Sequence, residues 1–530
     1  MAKVPQDLDN ASTEELKDLV QMLLQEVAVL KREVAGLQEE NARLKGKPPR
    51  PDIKPSGMAE NAASRGKPTG KGRSKPRGRG RKRSRLTIDA DCVLKPANVP
   101  AGARFKGYED YVVQDLEVRT RTIRYRRERW ELPDGTTLTA NLPAGTRGHY
   151  GGELQRLVLS LYHGGQMTIP RLTRLLNDIG VVIESRQVRR LLTETTDGFL
   201  QEAQDVLRAG LATAPWISVD DTGARHKARN GYCTQIGDGR FTAFATTGAK
   251  SRLNFLEILR AGHTDYAINA EALAYMARRG LSKEVIVLLA GGNAHFPDAE
   301  TWQAHLAALG LDRLKVHPDP VRIATEGALY GAITHHGLLA DAVVLSDGAG
   351  QFRIARHALC WVHAERLVHG LDTFTAAQRK AVERIRQLIW WLYADLKAYA
   401  VAPSSRRKSE IKARFTRLFN RRTGFATLDR LLRRLLVRKD ALLMVLQRPE
   451  VPLHTNGSEN DIRSQVTRRK ISGGTRSDRG RDCRDGFLGV FKTCDKLGVS
   501  SWQYLGDRLR IPGSEPVPPL PDLIRASAPG

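Results

Sequence analysis

At 530 residues with 41% apolar content, the chain is too long for a single hydrophobic core and has ample material for several. A formal net charge of +27 points to a polyanionic partner, nucleic acid first, against the blander reading of a generally basic soluble protein. Five scattered cysteines with no CxxC pair argue against a disulfide framework, and no run reaches the roughly 18 apolar residues that a membrane span needs.

The first ten residues lack a basic-then-apolar leader, so a cytoplasmic protein without membrane contact is expected. Residues 1–46 read as a leucine zipper. Leu16, Leu23, Leu30, Leu37 and Leu44 repeat with heptad spacing, and with these at d, position a holds Val20, Val27, Val34 and Asn41. β-Branched a residues, Leu at d and one Asn at a favour a parallel two-stranded coil. Ser12 and Glu15 supply a capping box. A homodimer or higher oligomer through this arm is therefore expected; the alternative is a solitary amphipathic helix.

Residues 47–86 form a basic linker, rich in Pro, Gly and Ser, that cannot bury enough apolar surface to fold alone. Arg77, Arg79, Arg81, Lys82 and Arg83 are its candidate phosphate contacts, through counterion release; a solvated spacer is the other reading. Residues 87–148 alternate apolar and polar positions over Tyr111–Val118 and Thr122–Leu132, then turn at Pro133-Asp-Gly135, which predicts a small β-rich module. Within it Tyr125 and Trp130 are packing residues or base-stacking ones. Residues 149–212 read as helical. A Gly-containing turn at Ile179–Val182 precedes a third helix, Arg186–Glu194, capped by Ser185, an arrangement resembling a helix-turn-helix. Arg186, Arg189 and Arg190 are its candidate DNA contacts, with plain helical scaffold as the rival.

Residues 213–510 hold the expected catalytic core. Trp216–Val219 reads as a buried strand that ends in Asp220, Asp221 and a turn, and Ala342–Ser346 repeats the design before Asp347 and Gly348. Asp238-Gly239 between two alternating runs predicts a hairpin. Helical insertions are expected at about 251–340, where Val285–Ala290 could be a strand, and at about 373–447. A helix is expected from about Ile354 to Leu371, and a later one carries Glu459. Residues 511–530 read as a frayed Pro-rich tail. Meander, helix, strand, helix and a late acid-bearing helix is the order of an RNase H-like fold, so the class is multidomain α/β. Carboxylates at strand ends and on a facing helix suit Mg²⁺, a hard cation that takes oxygen ligands. Two such ions can activate a water or a 3′-hydroxyl in phosphodiester displacement.

The sequence resembles the insertion-sequence-66 family of DDE transposases. The resemblance rests on Val219-Asp-Asp-Thr-Gly223, on Asp347-Gly348 with Cys360-Trp-Val-His-Ala-Glu-Arg366, and on Asn456-Gly-Ser-Glu-Asn-Asp-Ile-Arg463 followed by Arg469-Lys470 and Ser477-Asp-Arg-Gly480. It implies that Asp220, Asp347 and Glu459 are the catalytic, metal-binding acids, served by two Mg²⁺ or Mn²⁺ ions. It also implies double-stranded DNA as partner, both element ends and target, with accessory transposition proteins as a further partner class. Asp221 could exchange roles with Asp220, and Asp461 rivals Glu459. Relatives carry a CxxC-type zinc module where this chain has only Cys92, so no zinc is expected. Arg463, one turn after Glu459, could pair with it or clamp a phosphate. Arg468, Arg469 and Lys470 continue a basic face, and His363 is an accessory candidate or a structural residue. The favoured function is metal-dependent cleavage and strand transfer of an insertion sequence. The alternatives are an RNase H-like nuclease or junction resolvase, and a DNA-binding regulator without catalysis.

Overall fold

The computed structural model of the chain describes residues 88–143, 149–314 and 316–528, plus a few helical positions between 20 and 34. Apart from those positions, the expected zipper lies outside the described residues, as does the basic linker with Arg77, Arg79, Arg81, Lys82 and Arg83. Residues 88–128 form neither helix nor strand and are exposed throughout. The alternation over Tyr111–Val118 makes no strand because no second layer covers it: Tyr111 is 89% and Leu116 82% exposed. A hairpin survives only at the expected turn, where β1 (Arg129–Glu131) pairs with β2 (Thr137–Thr139). There Asp134 closes the loop by accepting from the Thr136 amide and hydroxyl at 2.9 and 2.6 Å. Trp130 and Tyr125 are exposed, so neither packs in a core.

Four helices follow: α1 (Gly152–Leu159), continued by a wider turn at Ser160–Gly164, α2 (Ile169–Asp178), α3 (Ser185–Thr193) and α4 (Asp197–Thr213). The cap of α3 is Glu184, one residue before the expected Ser185, and Glu184 and Gln187 form a reciprocal capping box. Val188, Leu191 and Leu192 bury the inner face of α3, which leaves Arg186, Arg189 and Arg190 exposed.

The central sheet contains β3 (Trp216–His226), β4 (Arg229–Gly237), β5 (Thr242–Thr247), β8 (Val343–Ser346) and β9 (His357–Leu359). Its order is β5-β4-β3-β8-β9, antiparallel within the β5-β4-β3 meander and parallel from β3 to β8 to β9. The turn at Asp238 forms as expected, its carboxylate accepting from the amides of Arg240 and Phe241 at 2.7 and 3.2 Å.

Between β5 and β8 lie α5 (Arg252–Leu259), β6 (Tyr266–Ala267), α6 (Ala270–Arg278), α7 (Lys283–Ala290), β7 (His295–Phe296), α8 (Ala299–Ala308) and α9 (Pro320–His335), with β6 and β7 paired. Val285–Ala290 is helix, not strand: Ser282 caps it by accepting from the Val285 amide, and only Leu289 of the run is fully buried. This insertion packs into the main core with the sheet. The helix expected from Ile354 instead begins at Trp361. His357–Leu359 joins the sheet as β9, anchored by the His357 imidazole against Ser346 Oγ at 2.8 Å.

After β9 come α10 (Trp361–His369), α11 (Ala376–Val401), α12 (Ser405–Phe419), α13 (Ala426–Val437) and the short α14 (Lys439–Leu442). These build a second core around Trp361, Phe415 and Phe419, and the Trp361 indole donates to the Leu442 carbonyl at 2.8 Å. Then follow α15 (Asn456–Ser472), α16 (Asp478–Leu497), α17 (Ser501–Arg508) and α18 (Leu520–Ala526). The tail is docked rather than frayed. Leu520 and Ile524 are fully buried, and the Leu520 amide donates to Glu202 at 3.0 Å. Each such aliphatic side chain contributes roughly 1.5–3 kcal/mol, enough to hold a short helix. No helix among the described residues is long and apolar enough to cross a membrane.

Candidate active site

Asp220 lies on β3 and Asp347 follows β8 directly. The parallel register pairs Trp216 with Val343 and Ser218 with Leu345, so both strands reach these acids two residues further on, side by side. Side chains on a strand alternate between faces, which puts Asp220 on the face of Ser218 and Asp221 on the opposite one. The Ser218 hydroxyl hydrogen-bonds the Ser458 hydroxyl, so α15 is pinned to the Asp220 face and Glu459 is the next residue along.

Glu459 is 3% exposed. Its Oε1 receives Arg366 Nη1 at 3.1 Å and lies 3.7 Å from His363 Nε2, two residues one turn apart on α10. Its Oε2 is buried with no hydrogen-bond partner among the described residues. Burial pushes the Asp220 carboxyl up to about 6 against the pull of the Asp221 amide, and the charges of Asp347 and Asp221 add to the rise while His363 opposes it. Burial works against a charged His363, yet the Cys360 thiol and Glu459 outweigh it and raise the imidazole above its usual range. The amide of Thr455 in turn donates to Cys360 at 3.4 Å, tying the start of α10 to the entry of α15.

These donors were tested for fit to a hard divalent cation. Buried carboxylate oxygen without a hydrogen-bond donor is costly unless a cation answers it. Glu459 Oε2 meets that description, and Asp220 and Asp347 add oxygen ligands of the same kind. The rival acids do not. Asp221 is clamped by Lys250 Nζ and by Gln351 Nε2 at 2.6 Å. Asp461, also buried, accepts from Thr242 Oγ1 at 2.8 Å, Lys496 Nζ at 2.7 Å and Gln235 Nε2 at 3.4 Å, all on one oxygen.

Comparison with known proteins agrees with this geometry. A family model described as "Transposase IS66 family" matches residues 333–482, the stretch that carries Asp347, His363, Arg366 and Glu459. The chain is 48% identical over 324 residues to the uncharacterized protein y4jO of Sinorhizobium fredii (strain NBRC 101917 / NGR234), covering 61% of this chain and 100% of that one. The chain belongs to the IS66 family of transposases.

Several basic residues expected to face DNA in this IS66 member are committed elsewhere. Arg468 is 4% exposed, stacks on Tyr162 at 3.8 Å and donates to the Tyr162 and Met167 carbonyls at 2.9 and 3.4 Å. Arg469 donates to the Gly223 carbonyl of β3. Lys470 is exposed. Arg463 forms no ion pair with Glu459 among the described residues, where Arg366 takes that place; its Nε and Nη2 are buried without partners. The Ser477-Asp-Arg-Gly480 block is a fastening device. Ser477 caps α16 by accepting from the Gly480 amide at 3.1 Å, Asp478 takes His226 at 3.0 Å, and Arg479 donates to the Thr193 carbonyl at 2.9 Å.

A second group of metal-type ligands, His263, Asp265 and His336, lies on the insertion between β5 and β8, with its ligand atoms within 4.8 Å of one another. Sequence reasoning missed this group, and it missed the roles of Arg366, Lys250 and Gln351. Arg366 alone left a signal, its spacing of one helical turn from His363.

Proposed function

We propose that this IS66-family chain is a DDE transposase that cuts the ends of a mobile element and joins the freed 3′-hydroxyl to target DNA, working in the cytoplasm. The observation that carries the reading is the buried, donor-free oxygen of Glu459 on the helix pinned to the Asp220 face. The sheet order, a three-stranded antiparallel meander continued by two parallel strands, supports an RNase H-like core. In this reading Asp220, Asp347 and Glu459 hold two divalent cations, and Asp221 supports the fold through Lys250 and Gln351. When bound, Mg²⁺ or Mn²⁺ supplies Lewis-acid stabilisation to the attacking and leaving oxygens of in-line phosphodiester displacement.

The remaining tasks fall to the chain. Arg366 occupies Glu459 Oε1 and so turns Oε2 toward the shared space. His363, held toward its protonated form, presents a proton between Asp220 and Glu459. The partnerless N–H groups of Arg463 suit a backbone phosphate. Arg186, Arg189 and Arg190 form an exposed basic edge for duplex DNA, with the zipper arm pairing two copies.

The test is strand transfer with labelled element-end oligonucleotides and Mg²⁺ or Mn²⁺. Wild type should yield cleaved and joined product, and Asp220→Asn neither. Cleavage that never leads to joining would favour a nuclease instead. Equal activity in the Asp220→Asn chain would overturn the assignment.

A further inference from the structure

Three arginines outside the sequence-derived set meet at the Asp347 edge of the site. Arg438 follows α13, and its guanidinium lies against Gly348, the residue after Asp347. A Cβ at Gly348 would stand 2.8 Å from Arg438 Nη1, and the backbone there has φ +101°, a conformation that glycine adopts readily. Arg434 is one helical turn before Arg438, and Arg353 comes from the loop between β8 and β9. The three sense one another: burial, then Arg353 and Arg434, pull Arg438 below the ordinary arginine range. Burial also drives His357 down to about 4, with Arg353 and Arg438 adding to the fall.

Like charges one turn apart on a helix destabilise it unless something answers them. None of these three guanidinium groups has a carboxylate partner among the described residues. Arginines nearby in the same helical insertion are matched, Arg386 with Glu365 at 2.6 Å and Arg414 with Asp395 at 2.8 Å. A guanidinium fork fits phosphate oxygens in bidentate fashion and stays charged at any working pH.

We propose that Arg353, Arg434 and Arg438 form a phosphate clamp that holds the DNA backbone as it passes Asp347. The clamp rests on the reading of Asp347 as part of the active centre and adds the ligand, a phosphodiester strand, and the side from which it enters. Gly348 serves both parts: it lets the chain turn after the acid and lets a guanidinium lie close beside it.

The experiment uses the full chain, metal-free, with a labelled duplex of random sequence. In fluorescence anisotropy, R353Q/R434Q/R438Q should bind about tenfold more weakly and lower the slope of log K against log salt by about 2, at roughly 0.9 per phosphate lost. In wild type, the duplex should protect Arg353, Arg434 and Arg438 from phenylglyoxal, read residue by residue by mass spectrometry. Arg525, ion-paired with Asp522 on α18, should stay reactive. A circular dichroism melt checks that the triple variant folds; if it does not, Gly348→Ala, which displaces the Arg438 guanidinium, takes its place. Unchanged affinity and slope with no protection would overturn the clamp. So would inorganic phosphate protecting the three arginines where the duplex does not. These measurements need no cleavage. Inactivity of the wild type would sink the transposition reading and leave the clamp standing, and the reverse holds as well.

Discussion

Two places in this chain gather imidazole and carboxylate groups, and they differ in whether those groups answer one another. In the insertion, Asp265 receives His336 Nε2 at 2.8 Å on one oxygen and His295 Nε2 at 3.0 Å on the other, and the His263 ring stacks on His336 at 3.6 Å. Every oxygen of that acid is taken. At the Asp220 face, Glu459 keeps one buried oxygen with no donor, and Asp220 is pushed up to about 6. Proximity of ligand-type residues is common to both. Unanswered charge is found only at the second, and it is the unanswered charge that calls for a ligand.

The largest expected effect breaks the comparison directly. Glu459→Gln keeps the shape and removes the charge. Cleavage of a labelled element end should fall at least about 100-fold, the scale on which one preorganised electrostatic contact matters. Asp265→Asn, assayed beside it, should cleave as wild type does. Equal loss in both variants would mean that the self-satisfied cluster is as functional as the open one.

A second effect concerns stability without metal. The Asp220 carboxyl has its pKa raised from 3.8 to about 6 on folding. A raised pKa means that the folded state holds the proton more tightly. The stabilisation is complete below pH 3.8 and is lost as pH rises through about 6, amounting to about 3 kcal/mol at neutral pH. Metal-free Asp220→Asn should therefore be more stable than wild type at neutral pH, by up to about 3 kcal/mol in denaturant titrations. The gap should shrink toward pH 4 and close when Mg²⁺ is added, because the cation stabilises only the chain that binds it. A wild type as stable as the variant at neutral pH, without metal, would show that the carboxylates do not strain the fold.

Much of this was legible in the residues, for physical reasons that also mark the limits. Strands such as Ile217–Val219 and Val343–Leu345 are buried on both faces, so their apolar runs announce them, and each ends in its acid. The resemblance separated Glu459 from Asp461 only by motif. The partners that separate them, Lys496 and Thr242 for Asp461 and Arg366 for Glu459, are remote in sequence and arrive by folding. Val285–Ala290 misled because a short apolar run has no period of its own; the Ser282 cap decided for helix. Tyr111–Val118 misled in the opposite way, since alternation makes a strand only where another layer covers one face. Arg468 looked like part of a basic face, yet the aromatic ring and carbonyls that enclose it lie some three hundred residues earlier in the chain.

The smallest effect sharpens the comparison from the side of the insertion. Burial opposes the charged form of Asp265, but the hydrogen bonds from His336 and His295 outweigh it and hold the carboxyl below its usual range. Stability from this group is thus present above the ordinary carboxylate range and drains away as pH falls through the lowered value. Asp265→Asn should cost roughly 1–3 kcal/mol at neutral pH, the penalty for leaving hydrogen-bond partners unmatched. That cost should vanish in acid, where wild type has lost the same contacts. Zn²⁺ or Ni²⁺ gives the decisive comparison, since imidazole ligands suit both. If the cluster is complete in itself, neither ion should raise the wild-type melting point more than that of Asp265→Asn. A rise confined to wild type would show that two hydrogen bonds to Asp265 had stood in for a metal, and that satisfied partners are no guide to where this chain keeps its cations.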